Sequence, residues 1–204
     1  MTQHKSWLIA ALLLLAFTAA VRAQEAEKVL KIERYSYEPV QIVDFKIGTQ
    51  SVKNRIHVDF RDPRSKDGWD RVSFKETDDW IKHVSVTLRN TSSKPVYGLS
   101  SYLYIRHPSE RMVFGLPLTL SRKLYDDPLQ PGAEVEMMVS PDQVNKTLET
   151  AMVYGVDASR ADVTFLVDGV RFSEELQWNH GRLVRPDPAT PLRWIPVDPE
   201  TKKP

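Results

Sequence analysis

The sequence predicts a mostly β domain, a single antiparallel β-sandwich with one short helix, and three observations carry that reading. Apolar residues alternate with polar ones in several short runs, turn-forming clusters separate those runs, and only one segment has helical periodicity. Short strands punctuated in this way build two-layer antiparallel folds, whereas a regular exchange of strands and helices would build a parallel sheet.

The clearest strand runs from His83 to Arg89, where Val84, Val86 and Leu88 alternate with polar neighbours. Asn90 to Pro95 then supplies a turn, and Val96 to Arg106 reads as a second strand paired with the first. On that second strand Leu99, Leu103 and Ile105 share one face, and Tyr102 and Tyr104 share the other. Pro131-Gly132 leads into a strand over Ala133 to Val139. Ser140 as N-cap, Pro141 at the first helical position and Val144, Leu148, Ala151 and Met152 on one side predict the helix, with Gly155 placed to stop it. Val163, Phe165 and Val167 alternate, Asp168-Gly169 signals a two-residue hairpin, and Val170 and Phe172 begin a return strand that continues through Trp178. Val29 to Ile32, Val40 to Ile47, and Ile56, Val58 and Phe60 are shorter strands near the N-terminus. Arg61 to Arg71 is too charged for a core and reads as a solvated loop holding Trp69. From Pro186 onward six prolines predict extended, polyproline-like backbone pinned to the body by Trp194 and Ile195.

Residues 1–23 have the form of a cleaved signal peptide: a basic start with Lys5, an apolar run from Leu8 to Val21, and Val21 and Ala23 at the positions a signal peptidase reads. The run is shorter than the ~20 residues of a bilayer-spanning helix, so membrane contact is expected only through an uncleaved signal segment. The expected organisation is therefore a signal peptide at 1–23, a β-sandwich at 24–185 and a proline-rich extension at 186–204, exported to the periplasm or the extracellular space. The chain has no cysteine, which leaves stability to the core alone. Removing Lys5 and Arg22 takes 28 basic residues to 26 against 27 acidic ones, a balance that argues against nucleic acid or an anionic membrane as the main partner.

The segment Asp79-Trp80-Ile81-Lys82-His83-Val84-Ser85-Val86-Thr87-Leu88-Arg89-Asn90-Thr91-Ser92-Ser93-Lys94-Pro95-Val96 resembles a family of uncharacterised bacterial exported proteins. Trp178-Asn179-His180-Gly181-Arg182-Leu183, with Arg185-Pro186-Asp187-Pro188 and Arg193-Trp194, is similar to that family's tail. The resemblance implies an exported domain of unknown function and brings no activity with it. A strand ending in Asn-Thr-Ser-x-Lys-Pro is also similar to segments of immunoglobulin-like and fibronectin-like modules, which implies fold rather than function.

No grouping with chemical meaning stands out in the sequence. There is no Gly-x-Ser-x-Gly elbow and no cysteine nucleophile, and His57, His83, His107 and His180 are scattered. Zinc or copper spacing is absent, and Asp59, Asp62, Asp67 and Asp70, the nearest approach to a calcium loop, are interleaved with Arg61, Arg64, Lys66 and Arg71. Neither a cofactor nor a metal is expected. Asn90-Thr91-Ser92 and Asn145-Lys146-Thr147 fit the glycosylation acceptor pattern, which recurs by chance.

What remains is aromatic. Tyr102 and Tyr104 on one strand face, with Trp69 beside Gly68, form the candidate interaction surface. The expected role is non-enzymatic contact with another envelope or extracellular protein, through this face or a sheet edge. Carbohydrate binding by the same rings is the alternative, and a small hydrolase with a glycosidase-like carboxylate pair is a third.

Overall fold

The computed structural model describes residues 26–35, 37–53, 56–61, 68–76, 79–106, 113–156, 162–173 and 175–197. The expected signal segment, the loop carboxylates Asp62 and Asp67 and the last seven residues lie outside them.

Period-two alternation dominates the described chain, and it yields a mostly antiparallel β fold with one α-helix. The strands are β1 (Ala26–Arg34), β2 (Val40–Ile47), β3 (Gln50–Ser51), β4 (Ile56–Arg61) and β5 (Gly68–Glu76). After a 3-10 turn at Trp80–His83 come β6 (Val84–Asn90), β7 (Gly98–Arg106), β8 (Val113–Leu120) and β9 (Glu134–Val139). The helix α1 (Pro141–Val153) precedes β10 (Asp162–Ser173), β11 (Leu176–Asn179), β12 (Arg182–Asp187) and β13 (Thr190–Pro196).

Hydrogen bonding is continuous through the order β13-β12-β11-β10-β7-β8-β9-β6-β2-β3. Within it, β8 changes partners: its first half pairs with β7 from Arg106↔Val113 to Tyr102↔Pro117, and its last residues pair with β9 from Leu118↔Val139 to Leu120↔Met137. The two halves of the sheet face each other across one core. Phe45 of β2 meets Phe165 of β10 edge to face at 5.6 Å, and the Ser101 hydroxyl of β7 lies 3.2 Å from the Met137 sulfur of β9. Leu30, Ile32, Leu88, Leu103, Ile105 and Leu116 are fully buried between the layers. Burial of such side chains stabilises by about 1.5–3 kcal/mol each, which lets a cysteine-free domain hold together.

One edge of β10 carries two neighbours in succession. Its early residues pair in parallel with β1 (Leu30↔Val163 to Ile32↔Phe165), and its late residues pair with β11 (Gly169↔Asn179 to Ser173↔Leu176). The strands β5 and β4 extend the first branch and β12 and β13 the second. The edge therefore forks near Leu166 to Asp168.

Several expectations need correction. Asp168-Gly169 does not turn the chain: β10 continues through it, and the register shift against β7 between Val167 and Gly169 makes Asp168 the extra residue of a β-bulge. The chain reverses later, so Trp178 stands on β11, beside β10 rather than along it. The strands β6 and β7 do not pair with each other, because β6 lies between β2 and β9 and β7 between β10 and β8. The stretch between them is a crossover, held by Asn90. Its amide donates to the carbonyls of Lys94 and Leu129 at 2.8 and 2.9 Å, and its carbonyl accepts from the Ser92 backbone and hydroxyl at 3.0 and 2.7 Å. Fully buried and bonded in this way, Asn90 has no free amide to offer as a glycan acceptor.

The strand β8 escapes the sequence pattern because Gly115 and Pro117 fall inside it. Trp69 stands in β5, opposite Glu33 of β1 and Phe60 of β4, so the charged loop is shorter than expected and Trp69 is not part of it. The C-terminal segment is a hairpin of β12 and β13 rather than polyproline backbone, and Ala189 N–H donates to the Asp187 carboxylate at its turn. Of the two residues expected to pin this segment, Trp194 is 40 % exposed and Ile195 is half-buried, while Leu192 is 96 % exposed.

The helix forms where expected, and its end follows a specific rule. Gly155, at φ +75°, lets its N–H reach the Met152 carbonyl while Val156 N–H reaches Ala151, the paired bonds of a Schellman cap. Val144 and Ala151 face the core, but Met152 is turned outward. No helix among the described residues is long and apolar enough to cross a membrane.

Candidate functional site

Alternation along β7 sends Ser101, Leu103 and Ile105 into the core and leaves Ser100, Tyr102, Tyr104 and Arg106 on the outer face. The two tyrosines of the expected surface thus stand together, rings nearly parallel at 26° with centroids 5.6 Å apart. Their neighbour across the ladder is Gly115 of β8, opposite Tyr104. A Cβ at that glycine would lie 3.2 Å from Tyr104 Cε1 and 3.7 Å from Tyr102 Cδ1, so both rings lean over bare backbone. They form a half-buried shelf, and neither hydroxyl bonds to any described residue. Burial pushes the Tyr104 hydroxyl above its usual range, aided by Asp168, Tyr102 and Glu33 and opposed by Arg106. Trp69, the third residue of the expected surface, stands on β5 opposite Glu33 of β1, and β5 does not pair with β7 or β10.

Polar groups that the sequence does not bring together collect beside the shelf, at the fork of β10. The bulge turns Asp168 outward, where its carboxylate accepts from the Ser100 hydroxyl at 3.3 Å and pairs with His180 Nε2 at 3.0 Å. His180 and Gly181 make the two-residue turn between β11 and β12, both at positive φ (45° and 82°). A histidine is unusual there, since Asn, Asp or Gly adopts that backbone at less cost. Its ring earns the position by contacts: Asp168 on one side and Tyr35 on the other, with ring centroids 5.3 Å apart. Tyr35 fills the fork, packs edge-on against Trp178 at 5.9 Å and donates its hydroxyl to Glu33 at 2.8 Å. On the adjoining outer face of β11, Gln177 donates to Asn179 at 2.6 Å.

The order of these groups limits their chemistry. A hydrolytic relay needs an imidazole between hydroxyl and carboxylate, so that the ring can take the hydroxyl proton. Here the carboxylate of Asp168 lies between Ser100 and His180, and the hydroxyl donates to the carboxylate instead. The carboxyl with the pronounced shift is elsewhere. Glu38 is pushed up to about 7 by burial, against the lowering effect of Arg34. Arg34 holds it at 3.3 Å and Asp70 at 3.0 Å, on the side of β1 and β5 that faces the core. Nothing in the sequence marks Glu38, because its shift arises chiefly from burial in the folded chain. Glu134 is exposed on β9 and accepts from Arg89. Among the described residues no three His, Asp or Glu side chains converge as a metal site.

Hydroxyls, amides and a carboxylate beside a flat aromatic shelf suit a ligand that offers both C–H faces and hydroxyl groups. Comparison with known protein families, curated proteins and solved structures finds no match to this chain.

Proposed function

We propose that the chain is an exported, non-enzymatic module of immunoglobulin-like kind that binds carbohydrate on the outer face of β7 and β10. The observation that carries this reading is the tyrosine shelf: two near-parallel rings over Gly115, whose hydroxyls bond to none of the described residues. A pyranose ring presents an apolar C–H face to an aromatic surface, while its hydroxyls reach planar polar side chains such as Asp168, Asn179 and Gln177. Export is supported by the form of residues 1–23 and by the resemblance to exported bacterial proteins.

Binding of a panel of neutral and acidic oligosaccharides, measured by calorimetry, tests the proposal. At least one is expected to bind wild type and to lose tenfold or more of its affinity in the Tyr102→Ala, Tyr104→Ala double variant, with the melting temperature little changed. Failure of every sugar to bind, or binding indifferent to the double variant, overturns it.

A second reading, contact with another envelope or extracellular protein, is favoured by β13. This strand ends the sheet, and Leu192 and Trp194 are exposed along it. Loss of a partner on Leu192→Asp substitution, with the tyrosines dispensable, would select that reading instead.

A further inference from the structure

Arginines stand at both ends of the tyrosine face. Along β7 the outward residues run Arg106, Tyr104, Tyr102 and Ser100, ending at Gly98. There the missing side chain is replaced by Arg171 of β10, whose Nε lies 3.1 Å from where a Cβ of residue 98 would stand. Arg182 of β12 lies in the same cross-strand row as Asn179, Gly169 and Ser100. At the usual rise per residue the line from Arg106 to Gly98 is roughly 25 Å long.

Elsewhere in the described chain Arg34, Arg89 and Arg122 hold carboxylates, whereas Arg106, Arg171 and Arg182 form no ion pair with any described residue. Of the carboxylates on this face, Glu33 is held by the Tyr35 hydroxyl and Asp168 by Ser100 and His180, while Asp162 of β10 stands opposite Arg106 in the ladder. Three guanidinium groups therefore flank a central aromatic shelf, and Arg171 and Arg182 have no carboxylate opposite them in the ladder. The whole chain is close to neutral, so this charge is local to the face.

Building on the carbohydrate reading, we infer that the ligand is an acidic glycan, a chain of uronate-bearing sugars lying along β7. Sugar faces rest on Tyr102 and Tyr104, one uronate carboxylate reaches Arg106, and others reach Arg171 and Arg182 at the far end. The guanidinium fork matches a carboxylate with two parallel hydrogen bonds, which a neutral sugar cannot reproduce. Cations spaced this widely, with rings between them, suit a polymer of one charge per sugar.

Calorimetry on the purified protein tests this with hexagalacturonate, neutral cellohexaose and polyglutamate, at low and high salt, on wild type and the Arg106→Gln, Arg171→Gln double variant. Hexagalacturonate is expected to bind at least tenfold more tightly than either control, with affinity falling tenfold or more in the variant and falling as salt rises. Both substitutions are at the surface, and unchanged thermal melting verifies the fold. Cellohexaose binding as well as hexagalacturonate, or hexagalacturonate binding unmoved by the variant, overturns the acidic ligand and leaves the carbohydrate reading standing. Polyglutamate binding as tightly as the sugar acid overturns it too, since charge alone would then suffice. Failure of both sugars overturns the inference for lack of its ligand, and the carbohydrate reading falls with it only if the wider panel also fails.

Discussion

Two side chains show how a residue's value depends on where the fold puts it. Glu38 has its carboxyl pushed up from 4.5 to about 7, so the folded state holds a proton that the unfolded chain releases. Its burden on stability is absent below pH 4.5, grows as pH rises toward 7, and is complete above that. Glu38→Gln is therefore expected to stabilise the protein at pH 8 by up to about 3 kcal/mol and at pH 5 by under about 1 kcal/mol. Urea unfolding at the two values measures the difference; equal effects at both would refute the buried, proton-holding carboxyl. Asn90 is the opposite case, fully buried with both ends of its amide bonded. Asn90→Ala leaves the Leu129 and Lys94 carbonyls without that donor and is expected to cost roughly 2–4 kcal/mol, read as a fall in the urea midpoint. Asn90→Asp should cost nearly as much, because a carboxylate cannot donate to those carbonyls.

At the scale of elements, the strands were largely legible and their pairings were not. Alternation reveals which residues of β6, β7, β9 and β10 face inward because that signal is local to each strand. It also separates Tyr102 and Tyr104 from the core, so the shelf was readable in outline. A turn signal is read differently by the structure at Asp168-Gly169. The same pair that favours a tight hairpin also suits a bulge, where one residue is extra and the next must lie close to its neighbours. A Cβ on Gly169 would approach Asn179 Oδ1 to 2.9 Å, which explains the glycine without any turn. Likewise the Asn90 to Lys94 segment looks like a hairpin loop but bonds to Leu129, far along the chain, and so directs β7 into the other layer. The fork that gathers Glu33, Tyr35, Asp168 and His180 draws on segments more than a hundred residues apart, and no local pattern encodes it.

At the scale of the molecule, the strand β10 joins the parts: it pairs with β1, β7 and β11, and its Phe165 meets Phe45 across the core. Phe165→Ala is expected to destabilise by about 3–5 kcal/mol in a single cooperative unfolding transition, followed by fluorescence and far-UV circular dichroism together. Separate transitions would mean that the layers fold independently. The dependence on β10 also bears on synthesis. As the chain is made from its N-terminus, β1 and β7 emerge long before the strand on which both must pair. The layer that contains β10 cannot close until Ser173 has been made, whereas β2, β3, β6, β8 and β9 of the other layer are complete by Val139.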